Sequence, residues 1–249
     1  MIKLPPLWFI IVLSIMLILA LTAFIFRRTI YDFANISPLA TGEVIPNIYA
    51  VKTGSVNFYL IKGDTGYILI DAGGSIEQAD RALKDLKILP DDIVAIFLTH
   101  SDSDHTASIP LFSNAKLYIH ELEVQMIDGT TKRNSRRSNS LDAGFSVLKD
   151  NDKVEMDGIT VLGIATPGHT PGSMSFMLND KYLFTGDSMA LINGKVSLFI
   201  SVYNMDEKIQ SESLKKLSDV GAKYIFTAHH GYSDNPAYVF ENSIYFTGE

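Results

Sequence analysis

The sequence predicts an α/β fold, a sandwich of two β-sheets with helices on the outside, preceded by one transmembrane helix. Three observations predict it. Short segments rich in Val, Ile and Tyr alternate with helical segments over most of the chain. A continuous apolar run, residues 93–98, has the length of a strand that is buried on both faces. A second apolar run, residues 7–26, lies near the N-terminus and is long enough to cross a bilayer.

The run at residues 7–26 predicts a membrane anchor. A helix of this length spans about 30 Å, the thickness of the hydrocarbon core. Trp8 and the pair Arg27–Arg28 stand at its two ends, where interface anchors occur. A secretory signal peptide is the alternative, but its apolar region is usually only about 7–15 residues long. We expect a single-pass protein of the cell membrane with three parts, an anchor, a linker and a folded domain, at residues 1–28, 29–43 and 44–249.

The composition excludes several classes of protein. The 249-residue chain has no cysteine, which excludes a disulfide scaffold, a cysteine-ligated zinc finger and a thiol nucleophile. Its net charge is −7, so we expect no nucleic-acid partner. Lys3 on one flank of the anchor and Arg27 and Arg28 on the other differ by one charge. That difference leaves open the side of the membrane on which the domain lies.

In the first half of the domain, strands and helices alternate. A helix starts at Ser75, which forms a capping box with Gln78, and it stops before Pro90. A short helix is expected after His105, and one or two helical turns are expected over residues 121–127. The predicted strands of this half are 42–51, 55–62, 66–74, 93–98 and 116–120.

The second half of the domain is also predicted to contain short strands with turns and a helix between them. Asn179, Asp180 and Lys181 predict a hairpin turn. Asn204 and Glu207 form a pattern like a capping box, which predicts a helix reaching about Val220. The predicted strands of this half are 153–156, 160–166, 173–178, 181–185 and 223–227.

Metal-type side chains follow these strands. The segment THSDSDHT, residues 99–106, places His100, Asp102, Asp104 and His105 directly after the buried strand. Four such groups crowded together would repel one another or stay unpaired unless a cation bound there. We therefore predict a divalent metal, with His100 and Asp102 able to share one ion and the other two able to reach a second.

Three further loops supply more candidate ligands. His169 follows one predicted strand, Asp187 follows another, and the pair His229–His230 follows a third. Sites are normally built from loops at strand ends on a rigid sheet. Either histidine of the pair could be the ligand, and the other would then support the site or face the substrate.

Five motifs carry a resemblance to a known family. LIDAGG, THSDSDH, TPGHTPGS, FTGDS and TAHHG occur in the order found in metallo-beta-lactamase-fold hydrolases, over about residue 44 to the C-terminus. TPGHTPGS and FTGDS look most like the thioesterase and lactonase branches. The resemblance implies an αββα sandwich with a two-metal site at its edge. It implies that one ion is held by His100, Asp102 and His169, the other by Asp104, His105 and His229, and that Asp187 bridges them.

The resemblance also assigns residues outside the ligand set. Asp71 matches a position that supports the site, although it could equally be a turn residue before Gly73. His120 matches no motif, and we expect it to be structural. The family's H-x-H-x-D-H motif has a second histidine where this chain has Asp102. Zinc is the expected ion, but the added carboxylate moves the preference towards manganese or iron. The same change could also weaken the first site enough to leave a single ion.

The implied activity is metal-dependent hydrolysis of a small-molecule substrate. Water activated by the metal would attack an ester, thioester, lactone or amide, and Asp104 would orient the water and take up a proton. Three alternatives stay open at this point. They are an inactive membrane-bound binding module that keeps the fold, a beta-lactamase or phosphodiesterase, and a redox protein with iron at the site.

A basic segment, residues 132–140, is unusual in this acidic domain. It contains Lys132, Arg133, Arg136 and Arg137 between two of the motifs. Placed over the metal site, it would favour an anionic substrate such as a carboxylate or phosphate. Placed against a bilayer, it would favour anionic lipid head groups. The alternative is a solvated surface loop.

Overall fold

Two β-sheets lie face to face, with helices on the outer face of each, in a computed structural model that describes residues 5–133 and 139–243. This is the predicted αββα order of layers. The α-helices are α1 (Leu7–Ala34), α2 (Ile76–Leu86), α3 (Ser103–Thr106), α4 (Val124–Ile127), α5 (Glu207–Ser218) and α6 (Pro236–Glu241).

The first sheet contains seven strands in sequence order. They are β1 (Gly42–Ile45), β2 (Ile48–Thr53), β3 (Val56–Lys62), β4 (Tyr67–Ile70), β5 (Ile93–Phe97), β6 (Lys116–His120) and β7 (Ser146–Leu148). The strands β1 to β4 pair antiparallel, whereas β4 to β7 pair parallel. The carboxyl ends of β4 and β5 therefore meet at one edge of the sheet.

The second sheet contains six strands in the order β15, β14, β11, β10, β9 and β8. In chain order they are β8 (Lys153–Met156), β9 (Ile159–Ala165), β10 (Met174–Leu178), β11 (Tyr182–Phe184), β14 (Tyr224–Phe226) and β15 (Tyr232–Ser233). Because β9 and β11 both pair antiparallel with β10, and β14 pairs parallel with β11, the strands β9, β11 and β14 run in the same direction. Their carboxyl ends share one edge.

Three apolar layers hold the sandwich together. Between the sheets, Phe97 of β5 packs on Phe176 of β10, with 5.5 Å between ring centroids. Outside the first sheet, Leu83 of α2 joins a second core. Outside the second sheet, Leu214 of α5 joins a third. From Ala95 onward, successive residues of β5 enter the first and second cores alternately, which confirms that this strand is buried on both faces.

Several predicted elements have the expected ends. The Ser75 side chain accepts a hydrogen bond from the backbone N–H of Gln78, as the N-cap of α2 should. The Gln78 side chain instead accepts from the N–H of Gly54, so the reciprocal half of the box is not made. Asn179 and Asp180 both have positive φ angles, 51° and 50°, as the two central residues of a type I′ turn require.

Other predictions were wrong in detail. Residues 42–51 form two strands, because Pro46 and Asn47 turn the chain between β1 and β2. The short helix near His105 begins at Ser103, before that residue. The helix α5 is capped by Asp206, whose carboxylate accepts from the N–H of Ile209, and Asn204 is not its cap. This helix ends at Ser218.

One hairpin was not predicted at all. The strands β12 (Ala190–Ile192) and β13 (Lys195–Ser197) form a separate two-stranded sheet. Asn193 and Gly194 join them with φ angles of 53° and 70°. An Asn-Gly pair between apolar segments is a hairpin signal, so the sequence did contain the information.

The helix α1 is long and apolar enough to cross a membrane, and none of its residues is buried. It continues to Ala34, six residues into the segment predicted as a linker. Its last turns touch the domain. The Arg28 guanidinium lies 3.2 Å from the Glu207 carboxylate, and the rings of Phe33 and Tyr203 pack edge to face at 6.0 Å.

Candidate metal centre

The predicted ligands come together where the carboxyl ends of the strands meet. His100 follows β5, and His105 lies in α3 just beyond it. His169 follows β9, Asp187 follows β11, and His229 follows β14. The two sheets are joined at this edge, because the backbone N–H of Met174 donates to the carbonyl of Thr99 at 2.9 Å. The edge of the sandwich therefore brings together residues that are far apart in the sequence.

A glycine permits the close approach of the Asp187 loop. Gly186 has a φ angle of +52°, in the left-handed region. A Cβ atom at this position would collide with the Thr99 side chain. The Thr-Gly-Asp sequence therefore lets Asp187 reach the loop that carries His100.

Asp187 lies at the middle of the cluster. Its Oδ2 is 3.5 Å from Nε2 of His105, 3.6 Å from Nε2 of His169 and 3.9 Å from Nε2 of His100. Its Oδ1 is 3.3 Å from Nε2 of His229. Four imidazole rings thus direct the same nitrogen towards one buried carboxylate.

The remaining carboxylates divide the cluster into two groups that flank Asp187. We call them the first ligand group and the second ligand group. In the first ligand group, Oδ2 of Asp102 lies 3.4 Å from Nε2 of His100 and 3.2 Å from Nε2 of His169. In the second, Oδ2 of Asp104 lies 3.8 Å from Nε2 of His105 and 3.5 Å from Nε2 of His229. The ligand atoms of each group lie within 4.8 Å of one another.

The opposite nitrogen, Nδ1, of three of these histidine rings has an acceptor outside the cluster. Nδ1 of His105 lies 2.9 Å from Oδ2 of Asp71, and Nδ1 of His229 lies 2.7 Å from the carbonyl of Ser55. Nδ1 of His169 lies 3.2 Å from Oδ1 of Asn204. Since these partners are acceptors, the three Nδ1 atoms carry a proton, and the Nε2 atom of each ring presents a lone pair to the cluster when the ring is neutral.

Asp71 supports the site and also shapes its turn. Its carboxylate accepts from the backbone N–H and the hydroxyl of Thr99, at 2.8 and 2.9 Å, in addition to its bond with His105. Its backbone has a φ of 64°, a conformation that Asp tolerates better than most residues. Asp71 is therefore both a partner of a candidate ligand and a turn residue, so the two sequence-based interpretations both apply.

Charge interactions within the cluster shift several pKa values. Burial by itself would lower the pKa of His105, but the carboxylates of Asp187 and Asp71 raise it well above its ordinary value. The pKa of His229 is also raised, because Asp187 outweighs burial. The pKa of Asp187 lies well below its usual range, since His229 and His105 outweigh the opposing effect of burial. The pKa of His169 is lowered, mainly by burial.

Asp102 has a cationic partner from the basic segment. Nη1 of Arg133 lies 2.6 Å from Oδ2 of Asp102, and Nη2 lies 3.2 Å from Nε2 of His169. Asn139 donates to the other oxygen of Asp102 at 2.9 Å. The segment thus reaches the site at both of its described ends, although Arg136 and Arg137 lie outside the described residues.

A buried glutamate, Glu123, joins the loops of two candidate ligands. One carboxylate oxygen accepts from the backbone N–H and the hydroxyl of Ser101, at 2.9 and 2.6 Å. The other accepts from the hydroxyl of Thr170 at 2.6 Å. Ser101 follows His100, and Thr170 follows His169, so this carboxylate fixes the spacing of two histidines. No local pattern indicates this role, because the partners of Glu123 are 22 and 47 residues away.

Two other residues near the site were not predicted. Asn204, expected as a helix cap, instead orients His169 and donates to the carbonyl of Phe199 at 2.9 Å. The Phe199 ring packs on both His169 and His229, with centroid distances of 5.3 and 5.0 Å. It forms an apolar wall beside the two ligand groups.

Two histidines lie outside the ligand groups. His230 is buried next to Phe199, and burial together with the charge of His229 lowers its pKa to about 4. His120 ends β6 and is buried, and it belongs to neither ligand group. Geometry therefore selects His229 over His230, and it leaves His120 as a core residue.

The cluster fits a divalent metal. Nε2 of His100, His105 and His229 and Oδ1 of Asp187 are buried, and none has a hydrogen-bond partner among the described residues. Orphaned lone pairs of this kind are costly unless a cation binds them. The donors are imidazole and carboxylate groups, which suit zinc, and the carboxylates also suit manganese.

Two proteins of known description are similar to this chain in sequence. A probable metallo-hydrolase of Methanocaldococcus jannaschii is 32% identical over 151 residues, 61% of this chain and 64% of that protein. Atrochrysone carboxyl ACP thioesterase of Aspergillus chevalieri is 25% identical over 205 residues, 80% of this chain and 58% of that protein. The match thus spans less than two thirds of either relative's own length.

A solved structure shows the same fold. A subclass B3 metallo-beta-lactamase of Bradyrhizobium japonicum superposes with a TM-score of 0.63, at 23% identity, over 78% of this chain and 79% of that one. The sequence profile of the metallo-beta-lactamase superfamily matches residues 51–229, which is most of the chain and includes every candidate ligand. The chain therefore belongs to the metallo-beta-lactamase superfamily.

Proposed function

We propose that this protein is a membrane-anchored, metal-dependent hydrolase of an ester, thioester, lactone or amide. The observation that supports it most is the convergence of four buried imidazole Nε2 atoms on Asp187, with Asp102 and Asp104 on either side. The ligands in this proposal are His100, Asp102, Asp104, His105, His169, Asp187 and His229. A divalent ion lowers the pKa of a bound water and so supplies a nucleophile near neutral pH.

Asp104 is the proton acceptor in this proposal. Its side chain is 45% exposed, whereas that of Asp187 is 4% exposed, so Asp104 is the carboxylate that incoming water reaches. Its Oδ2 also faces His229 at 3.5 Å, which keeps the carboxylate directed at the cluster. From this position Asp104 can orient a water molecule and take up its proton.

Phe199 and Arg133 define the walls around the reacting groups. The Phe199 ring covers His169 and His229 and keeps water from that side, which strengthens electrostatic interactions within the site. The Arg133 guanidinium, 20% exposed, brings positive charge to the opposite carboxylate, Asp102. This charge favours a substrate with an anionic group or a developing oxyanion nearby.

The contacts of α1 support a retained anchor. The helix forms an ion pair through Arg28, and the segment that follows the helix runs next to the candidate metal centre. The N–H of Ser37 donates to the carbonyl of His229 at 2.9 Å. Removal of the helix as a signal peptide would break the Arg28 ion pair and leave the segment that contacts His229 without its attachment to the helix. We expect the full chain to resist extraction from membranes by alkaline carbonate and to be released by detergent. Recovery of a shortened, soluble chain would contradict the anchor.

Thioesters are the first substrates to test. One relative is named a thioesterase, and the TPGHTPGS and FTGDS motifs resemble that branch. The full chain in detergent should be assayed, metal-depleted and reloaded with zinc, manganese or iron, against acyl thioesters, lactones, esters and a beta-lactam. We expect turnover that disappears on depletion and returns with one of these ions.

The variants H229A and H120Q make this assay specific to the site. H229A removes a candidate ligand, whereas H120Q changes a buried histidine that lies outside both groups. We expect H229A to lose turnover and H120Q to keep it. Metal binding without turnover of any class of substrate would favour the binding module instead.

A further inference from the structure

The first ligand group contains a fixed cation. Arg133 places Nη1 2.6 Å from Oδ2 of Asp102 and Nη2 3.2 Å from Nε2 of His169. Nη2 also lies 3.5 Å from the carbonyl of His169. The two side-chain atoms that Arg133 contacts are ligand atoms of the first group, so the guanidinium lies where an ion would have to bind.

The protonation state of His169 suits this contact. Asn204 donates through Nδ2 to the carbonyl of Phe199, which leaves its Oδ1 as an acceptor for the N–H of Nδ1 in His169. Nε2 of His169 therefore has a lone pair. A guanidinium has only donors, so Nη2 of Arg133 can satisfy that lone pair as a metal ion would.

Asp102 is held in the position that Arg133 needs. Its other oxygen, Oδ1, accepts from Asn139 at 2.9 Å, and Asn139 also donates to Ser101 at 2.8 Å. Ser101 is in turn bonded to the buried Glu123. A histidine at position 102 would offer no carboxylate to a guanidinium. Asp102, which stands where the family motif has a histidine, thus provides the carboxylate that Arg133 contacts.

The second ligand group has no equivalent of Arg133. Among the described residues, the ion-pair partners of Asp104 and Asp187 are histidines only. The carboxylates of Asp104 and Asp187 face the same space as the Nε2 atoms of His105 and His229. Neither carboxylate pairs with an arginine or a lysine among the described residues. These four groups are sufficient in number for a tetrahedral site.

We infer that Arg133 is the permanent cation of the first ligand group, and that the protein binds one divalent ion, in the second ligand group. This inference rests on the proposed function and names the residue that sets the number of ions. An ion entering the first group would have to displace the guanidinium and leave it in a largely buried position without its carboxylate partner. Nε of Arg133 is itself buried and has no partner among the described residues.

The test is the metal content of the purified full chain and of two variants. The proteins would be loaded with zinc or manganese, freed of excess ion by gel filtration and measured by elemental analysis. R133A removes the cation, and K132A removes the exposed neighbouring charge as a matched control. We expect one equivalent in the wild type and in K132A, and two in R133A. R133Q, which keeps most of the side-chain volume, replaces R133A if that variant fails to fold.

The other outcomes are distinguishable. Two equivalents in the wild type would overturn the inference while leaving a metal-dependent hydrolase intact. One equivalent in a folded R133A protein would also overturn it, because the first group would then fail to bind for another reason. Absence of metal from every variant would instead contradict the proposed function, and the inference with it.

Discussion

The two ligand groups share Asp187 but balance their charge differently. In the first, the Asp102 carboxylate pairs with Arg133 at 2.6 Å, and burial lowers the pKa of His169. In the second, Asp187 raises the pKa values of His105 and His229 despite their burial. A group that contains its own cation has little need of an ion, whereas the carboxylates of the other group are paired only with histidines, whose protons a metal ion can displace. Similar ligand sets can thus differ in metal demand through one neighbouring side chain.

Replacing Asp187 should disable both ligand groups, because its carboxylate faces the histidines of each. D187N keeps the shape of the side chain but removes the charge that four imidazoles face. We expect loss of bound metal and a fall in turnover greater than the roughly 10- to 100-fold typical for an outer partner of a ligand. Elemental analysis and the substrate assay measure both, with H120Q as the control. A D187N protein that retains metal would show that the ligands lie elsewhere.

Replacing the outer partners of the histidines should separate the two groups. D71N weakens the acceptor of His105 in the second group, and N204A removes the acceptor of His169 in the first. We expect D71N to lower metal affinity by about 10- to 100-fold. N204A should leave metal affinity unchanged, because Arg133 fills that group. Calorimetric titration of the depleted proteins measures the affinities, and equal losses in both variants would contradict the asymmetry.

The smallest effect concerns His120, the buried histidine outside both groups. Burial lowers its pKa below 6.5, so the folded chain binds fewer protons here than the unfolded chain. This contribution to stability is present above about pH 6.5 and is lost as the pH falls through the lower, folded-state value. We expect H120Q to show a shallower fall in Tm on acidification than the wild type, with unchanged metal content. A parallel fall would mean that His120 does not titrate differently on folding.

The strands and the ligand loops could be predicted because their signals are local. Residues 93–98 form a strand buried on both faces, and the loops after four strands carry His100, His169, Asp187 and His229. Parallel strands place their carboxyl ends at one edge, so even the convergence of these loops follows from the order of elements.

The parts that could not be predicted depend on contacts that are distant in the sequence. Arg133 was identified only as part of a basic segment, since nothing local specifies that it pairs with Asp102, 31 residues earlier. Asn204 was expected to cap α5, but its amide orients His169, and Asp206 caps the helix instead. Glu123 lies in what the sequence shows only as a helical turn. In each case tertiary packing overrides a plausible local role.

The most direct test of the account is the position of the bound ion. Crystals of the full chain in detergent, loaded with zinc or manganese, would give an anomalous scattering peak at the absorption edge of that ion. We predict one peak, between Nε2 of His105 and Nε2 of His229 and within coordination distance of Asp104 and Asp187. A peak in the first ligand group, a peak outside both groups, or no peak in protein that turns over substrate would contradict this prediction.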